Sequence, residues 1–318
     1  MKFLLMALCA MAAYAQQNQD FSKVEIHVLP VQGNVYMLVG AGGNITVQEG
    51  KDGVFLVDTM YAPLADKIEA AIRTISKGPI RYIVDTHVHG DHTNGNEALR
   101  KKGSTISGGN VSADIKDSAE GAQIVAHQNI LNRMSAKGPD SAPSSMWPTD
   151  TYLTDEKDFF FNGEGIQVIH IPNAHTDGDS IVFFRRSDVI STGDLFTTTN
   201  YPIIDIDRGG SIQGFIAGLQ KIVDMIIPVY GQEGGTMVVP GHGRLCDLGD
   251  VIEYREMAII VRDRIQDMVR KGMTLEQVKA AKPTIDYDTL YGSSTGFWTT
   301  DKFVEAVYTS LTSEGGRK

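Results

Sequence analysis

Short apolar runs separated by glycine dominate the early part of the chain. Residues 24–29, 35–39 and 45–49 are such runs, broken by Gly33 and by Gly40, Gly42 and Gly43, and their spacing predicts a β-meander. Val54-Phe55-Leu56-Val57 is apolar without a gap, which predicts a strand buried on both faces. The period then changes to 3.6. Leu64, Ile68, Ile72 and Ile75 form one stripe, Pro63 suits a first helical turn, and Gly78-Pro79 ends the helix. Residues 80–84 predict a strand that runs directly into Asp85-Thr86-His87. Residues 111–134 read as mostly helical. Residues 138–148 read as a Pro- and Ser-rich segment, either a linker or a long surface loop.

The second half repeats the mix. Residues 159–161, 167–171, 180–184 and 189–191 predict strands. Ile212, Phe215, Ile216, Leu219, Ile222, Val223 and Ile226 form a helical stripe, and residues 237–239 a short strand ending at Pro240-Gly241-His242-Gly243. Tyr254, Ala258, Val261, Ile265 and Met268 mark a long helix closed by Gly272. Thr274 and Gln277 form a capping box for another helix, and a last helix lies near residues 302–311. Alternating strands and helices place the chain in the α/β class. Sheet runs in both halves predict two sheets with helices outside.

Composition narrows the function more than the fold. With 318 residues, 42% hydrophobic and 21% charged, the chain has material for a sizeable core. Lys and Arg number 29 against 39 Asp and Glu, a net charge of −10 without any long basic block, which argues against a primary nucleic-acid binder. Lys2, the apolar residues 3–13 and Ala13-Tyr14-Ala15 have the pattern of a secretory signal peptide over residues 1–15. That run is shorter than the roughly 20 residues a membrane span needs, and no other run is long enough. On this reading the protein is periplasmic or secreted. Cys9 leaves with the leader and only Cys246 remains, so no intramolecular disulfide forms. Cys246 follows His242 by four residues, but it reads as a small buried hydrophobe before it reads as a ligand.

The informative segment is His87-Val88-His89-Gly90-Asp91-His92, with three imidazoles and a carboxylate within six residues. His87 and His89, two apart on a strand end, point to one side. Gly90 lets the chain turn, and Asp91 and His92 then face a neighbouring point. One short loop thus offers two ligands to each of two metals. Asn94 and Glu97 are placed to cap a helix just after it. Three further candidates end apolar runs next to turn residues: His175, Asp194 and His242. His27, His127 and His170 do not, and read as surface or satisfied core residues.

On these residues the sequence resembles the metallo-β-lactamase superfamily, over about residues 24–245. The resemblance implies an αββα sandwich, two mixed β-sheets with helices on the outer faces. The domain would cover residues 16–250, with residues 251–318 as a C-terminal helical extension packed on it. It further implies a dinuclear metallohydrolase. His87, His89 and His175 would hold the first metal, Asp91, His92 and His242 the second, and Asp194 would bridge them. The cofactors would be two zinc ions, with iron or manganese permitted by the same ligands. A metal-bound hydroxide would attack the carbonyl of a small-molecule substrate (an ester, thioester, lactone or β-lactam), with Asp91 as the catalytic residue that orients the nucleophile and passes a proton.

Departures from the family's pattern bear on the substrate. One subclass of zinc β-lactamases has Cys where this chain has Asp194, and Lys where it has Thr197. Asp at 194 is similar to thioester hydrolases, lactonases and sulfur dioxygenases. His-x-His rather than His-x-Glu argues against flavodiiron oxygen reductases. Two alternatives remain. One is a mononuclear iron sulfur dioxygenase using His87, His89 and His175 alone. The other is a non-catalytic metal-binding protein on the same scaffold. The oligomeric state is left open.

Supporting residues are weaker candidates. Asp85 and Thr86 are partners for the His ligands or strand-end caps; Thr176 and Asp177 orient His175 or make a turn. Trp147, Phe196, Tyr201 and Arg208 fall in loops near the expected cleft mouth. Arg208 reads as a receptor for a substrate carboxylate or, in preference, as the partner of Asp205 or Asp207. The glycines of residues 40–43 flank the site or simply turn the chain.

Overall fold

The computed structural model describes residues 20–105, 121–226 and 235–314; the expected leader over residues 1–15 lies outside them. Twelve strands among the described residues form two sheets. The first, of seven, runs in sequence order: β1 (His27–Gln32), β2 (Val35–Val39), β3 (Ile45–Gly50), β4 (Gly53–Val57), β5 (Ile80–Val84), β6 (Gln123–His127) and β7 (Asp150–Tyr152). It is antiparallel through β4 and parallel from β4 to β7. The second has the order β12-β11-β10-β9-β8, from β8 (Glu156–Phe161), β9 (Glu164–His170), β10 (Ser180–Phe184), β11 (Val189–Ser191) and β12 (Met237–Val239), with only β11 and β12 parallel.

Period-two alternation explains how the sheets stack. In β4, Val54 and Leu56 face Leu64, Ile68 and Ile72 around helix α1 (Ala65–Ile75), while Phe55 and Val57 face the other sheet. The gapless apolar run is therefore a strand buried on both faces, as its sequence predicts. In the second sheet Val168, Val182, Val189 and Val239 point inward, and Ile169, Ile181, Ile190 and Val238 point outward. This outer layer packs on helices α5 (Ile212–Met225), α6 (Leu248–Arg270), α7 (Leu275–Ala280) and α9 (Thr300–Glu314), which share one core with it. Between these elements lie α2 (Gly90–Thr93), α3 (Asn96–Lys101), α4 (Gln128–Ser135) and α8 (Asp288–Tyr291). The result is helix, sheet, sheet, helix, with the chain after residue 250 entering the same outer layer. No helix among the described residues is long and apolar enough to cross a membrane.

Two expectations are corrected, and one pair of alternatives is resolved. Residues 123–127 are strand β6, not helix, and among the described residues of the predicted stretch only 128–134 are α-helical, in a helix that ends at Ser135; residues 106–120 lie outside the described residues. A buried apolar run such as Ile124-Val125-Ala126 carries no period that separates central strand from helix. Asn94 and Glu97 form no capping box: α3 starts after Gly95 without a side-chain cap, and Glu97 pairs with Lys101 instead. The segment at residues 138–148 is a loop leading to β7 of the same sheet, a strand the sequence reading missed. The Thr274–Gln277 capping box is present.

One helix start governs the position of a candidate ligand. Ser211 caps α5 by accepting from Gly214 N, and its hydroxyl donates to Asn173 O in the loop that carries His175. A Cβ on Gly214 would lie 1.9 Å from Asn173 O, against backbone that cannot rotate away. Gly214→Ala is expected to destabilise the protein by about 1–3 kcal/mol, measured by urea unfolding. An unchanged midpoint would show that α5 and this loop are not in fixed register.

Candidate metal centre

Every sequence-predicted ligand lies at the same end of the sandwich, just past a strand. His87 and His89 follow β5, and His89 precedes the single helical turn α2, which carries Asp91 and His92. His175 follows β9, Asp194 sits in the 3₁₀ turn after β11, and His242 follows β12. Asn44, just before β3, ties the sheets together here: its N–H donates to Gly241 O and its side-chain amide to Pro240 O and Gly243 O. Gly43 lies on the His92 ring so closely that a Cβ would sit 2.1 Å from its Cε1. The glycines of residues 40–43 do flank the site.

The side chains form two sets. His87, His89, His175 and Asp194 offer ligand atoms all within 4.8 Å of one another, as do Asp91, His92 and His242. Asp194 touches both. Its Oδ2 is 3.8 Å from His87 Nε2, while Oδ1 is 3.2 Å from His92 Nε2 and 3.3 Å from His242 Nε2. Asp91 Oδ2 is 3.2 Å from His242 Nε2. The two carboxylates differ in access: the Asp194 side chain is 6% exposed and that of Asp91 26%. Asp91 is the acid that faces solvent.

Partners outside the cluster decide which ring nitrogen faces in. Thr86 has one hydroxyl proton and Asp58 Oδ2 lies 2.8 Å away to accept it, so Thr86 Oγ1 accepts from His87 Nδ1 at 3.0 Å. His87 Nε2 is left as a lone pair. His92 Nδ1 donates to Asp58 Oδ2 at 2.7 Å, which turns Nε2 inward. His89 Nε2 donates to Asp205 Oδ2 at 2.9 Å, which leaves Nδ1. His87 Nε2, both ring nitrogens of His175 and Asp194 Oδ1 are buried and make no hydrogen bond of ordinary geometry. Buried polar atoms without a partner are rare and costly. Four of them converging with imidazole and carboxylate chemistry fit divalent metal ions.

Electrostatics separates the sets. Burial, reinforced by neighbouring imidazoles, holds His87 well below the usual range and His175 down at about 3, so both rings keep a free lone pair. Burial also disfavours charge on His92 and His242. Asp194 and Asp91 outweigh it, raising His92 well above its ordinary value and His242 to about 10. For the acids burial favours the neutral form, but these imidazoles hold Asp194 well below the carboxylate range and Asp91 near 2.

The supporting residues resolve individually. Thr86 partners a ligand; Asp85 does not, and accepts from Asn96 Nδ2 instead. Thr176 donates to Asp179, whose carboxylate is 3.7 Å from His175 Nδ1, while Asp177 pairs with Arg133. Phe196 and Tyr201 are core residues, and Trp147 packs beside Val88. Cys246 is buried in the same core as α6. Arg208 pairs with Asp205 and also with Asp140. His27 is exposed, and His127 stacks on His170 with ring centroids 3.6 Å apart. Sequence reasoning missed Asp58, Asp179 and the role of Asp205. Asp58 was within reach of it, because it ends β4 as Asp85 ends β5.

The family model described as the metallo-beta-lactamase superfamily matches residues 32–242. The linear primary-alkylsulfatase of Pseudomonas sp. (strain ATCC 19151) is 24% identical over 262 residues, 72% of this chain and 48% of that protein. The chain spans about half the length of the curated relatives it matches. Among solved structures, the stereoselective inverting sec-alkylsulfatase Pisa1 from Pseudomonas sp. superposes with a TM-score of 0.64 at 16% identity, over 89% of this chain and 50% of that one. A metallo-beta-lactamase from Pontibacter korlensis superposes with a TM-score of 0.57 at 17% identity, over 74% of this chain and 99% of that one.

Asp58 accepts from Thr86 N–H, Thr86 O–H and His92 Nδ1–H while fully buried. Asp58→Ala strands all three donors and is expected to cost about 3 kcal/mol in the metal-free protein; Asp58→Asn, which keeps one acceptor oxygen, should cost less. Chemical denaturation of both variants reads this. A loss under about 1 kcal/mol for the alanine would mean that water replaces the carboxylate.

Proposed function

The chain belongs to the metallo-beta-lactamase superfamily, and on that premise we propose that it is a dinuclear metal-dependent hydrolase of a small-molecule ester, thioester, lactone or β-lactam. His87, His89 and His175 would hold one ion, Asp91, His92 and His242 the other, with Asp194 between them. Zinc suits these donors, and iron or manganese would be accepted by them as well. The observation that carries the reading is Asp194: one carboxylate turns an oxygen toward each of two imidazole sets. A mononuclear dioxygenase would need only the first set, and the second is complete here.

Metal ions in such a site supply Lewis acidity toward water and toward the substrate oxygen. The chain's residues do the rest. Thr86, Asp58 and Asp205 fix the rings of His87, His92 and His89, so little reorganisation is needed during reaction. Asp91 faces the cleft beside His242, so it is placed to orient the attacking water and pass its proton to the leaving group. We place the protein outside the cytoplasm, periplasmic or secreted, on the leader pattern of residues 1–15.

A second reading keeps the site and changes the bond: hydrolysis of an alkyl sulfate ester. It is favoured by the likeness to the Pseudomonas alkylsulfatase across 72% of the chain, and by a superposition on a sec-alkylsulfatase that covers 89% of it where a lactamase covers 74%.

The test is metal content per chain together with a substrate panel. Two metal ions and turnover of carbonyl substrates are expected. Turnover of dodecyl sulfate alone would transfer the assignment to the second reading. One iron with oxygen uptake on persulfides would replace hydrolysis by oxygen chemistry, and metal uptake without turnover of any substrate would leave a binding protein. Asp91→Asn should lower turnover by about 10²–10⁴-fold, with metal content measured on the same sample. Full activity in that variant would remove Asp91 from the mechanism.

A further inference from the structure

The turn from Asp205 to Gly210 holds two of the three first-set imidazoles by different means. The Asp205 carboxylate accepts from His89 Nε2 at 2.9 Å. The Asp205 backbone N–H donates to His175 O at 2.9 Å, and Ser211 N–H donates to Ala174 O at 3.0 Å. Displacing this turn therefore moves His89 and His175 together. No other described turn contacts both residues through hydrogen bonds.

Arg208 is what anchors the turn. Its Nη1 donates to Asp205 Oδ2 at 2.6 Å, and its Nε and Nη2 fork onto Asp140, with Nε 2.8 Å from Oδ1. Asp140 belongs to the loop after α4 and its side chain is only 9% exposed. A second arginine extends the link. Arg133, on α4, forks onto Asp177 at 2.9 and 2.7 Å and lies 4.0 Å from Asp140. Asp177 is two residues beyond His175, and its N–H donates to Arg208 O at 2.9 Å. Acid and base thus alternate around the His175 loop: Asp177, Arg133, Asp140, Arg208, Asp205.

We propose that Arg208 is a positioning residue, clamped between Asp140 and Asp205, that sets His89 and His175 for metal binding and does not receive the substrate's negative charge. The fork that would grip a carboxylate or sulfate is already closed on Asp140. In this half-buried network each charge has a partner of opposite sign, and several bonds must break together before the turn can move. Asp205 is the direct partner of His89, and groups in that position typically change metal affinity by about 10–100-fold; Arg208 acts through it. The proposal rests on the reading that His87, His89 and His175 bind metal.

The test uses metal-stripped full-length protein titrated with zinc against a chromophoric chelator, with circular dichroism and a thermal melt on each sample. Wild type is expected to take two zinc ions. Arg208→Gln and Asp140→Asn should each weaken one of the two by about tenfold or more and leave the other unchanged. Arg208→Lys keeps the charge without the fork and should fall between. Cobalt loading adds a spectroscopic check, because the absorption bands of one site should shift in Arg208→Gln. Asp140→Asn lies two side chains from His89, so it carries the test if Arg208→Gln fails to fold. Unchanged zinc affinity in Asp140→Asn and Arg208→Lys, with a raised KM confined to anionic substrates, would overturn the proposal and make Arg208 a substrate receptor. A wild type that takes up no zinc would instead overturn the metal reading, and this proposal with it.

Discussion

A carboxylate buried among imidazoles is the constraint to which this structure is fitted. Asp194 is almost sealed from water, and an ionised carboxylate taken out of water costs several kcal/mol unless positive charge or hydrogen bonds replace the lost hydration. His92 and His242 stand on one side of it and His87 on the other. Two of these rings are held from behind. Thr86 holds His87, Asp58 holds His92, and Asp205 holds His89 beside them. Each holder is itself tied to another element: Asp58 to the backbone of Thr86, and Asp205 to the backbone of His175. The cost of burying Asp194 is therefore carried by a shell drawn from both sheets.

Such a shell needs sheets that neither slide nor hinge. Four layers of alternating side chains resist sliding, because a one-residue slip would turn Phe55 and Val57 out of the central layer. Hinging is resisted by polar clips at both ends. At the site end Asn44 binds the His242 turn, and Thr46 bonds Ser191 across the layer. At the far end Glu164 of the second sheet accepts from Gln48 of the first and from Ser187 in the turn after β10, while Asn162 reaches both Gln48 and the backbone of Gly53. These groups are buried and matched donor to acceptor, so they specify one stacking of the sheets.

The parts of this arrangement that were legible in the sequence share a physical property: the residue's role is announced by its own neighbours in the chain. A ligand that ends an apolar run, as His175, Asp194 and His242 do, is visible because the strand before it is visible. So is the 87–92 loop, where spacing alone groups the side chains. Residues whose role depends on a distant partner were not legible. Asp205 lies 116 residues from His89 and Asp140 lies 68 from Arg208, and no local pattern marks either. Strand β6 failed for another reason. A central parallel strand is apolar on both faces, so it lacks the alternation by which strands are read. Arg208 was correctly weighed as an ion-pair partner, but the better-buried half of its pairing, Asp140, was absent from the reading.

The same contrast explains how the C-terminal helices bear on the site without touching a ligand. The loop after Asp194 is held between two neighbours. Toward the site, Thr198 N–H donates to His242 O and Thr197 Oγ1 lies 3.3 Å from the same carbonyl. Away from it, Tyr254 of α6 donates its hydroxyl to Asn200 O, Tyr201 N–H donates to Tyr291 O, and the Tyr201 ring stacks on Phe303 of α9 at 4.7 Å. The Tyr201 hydroxyl then lies 2.8 Å from Asp288 Oδ1 and 3.0 Å from Thr284 O. A loop with a buried aromatic anchor and hydrogen bonds on both sides has few conformations to sample. The helices beyond residue 247 therefore act on the His242 turn through residues 197–201, by limiting where that loop goes. The apolar stripe of α6 is core, because its residues close over the outer face of the second sheet.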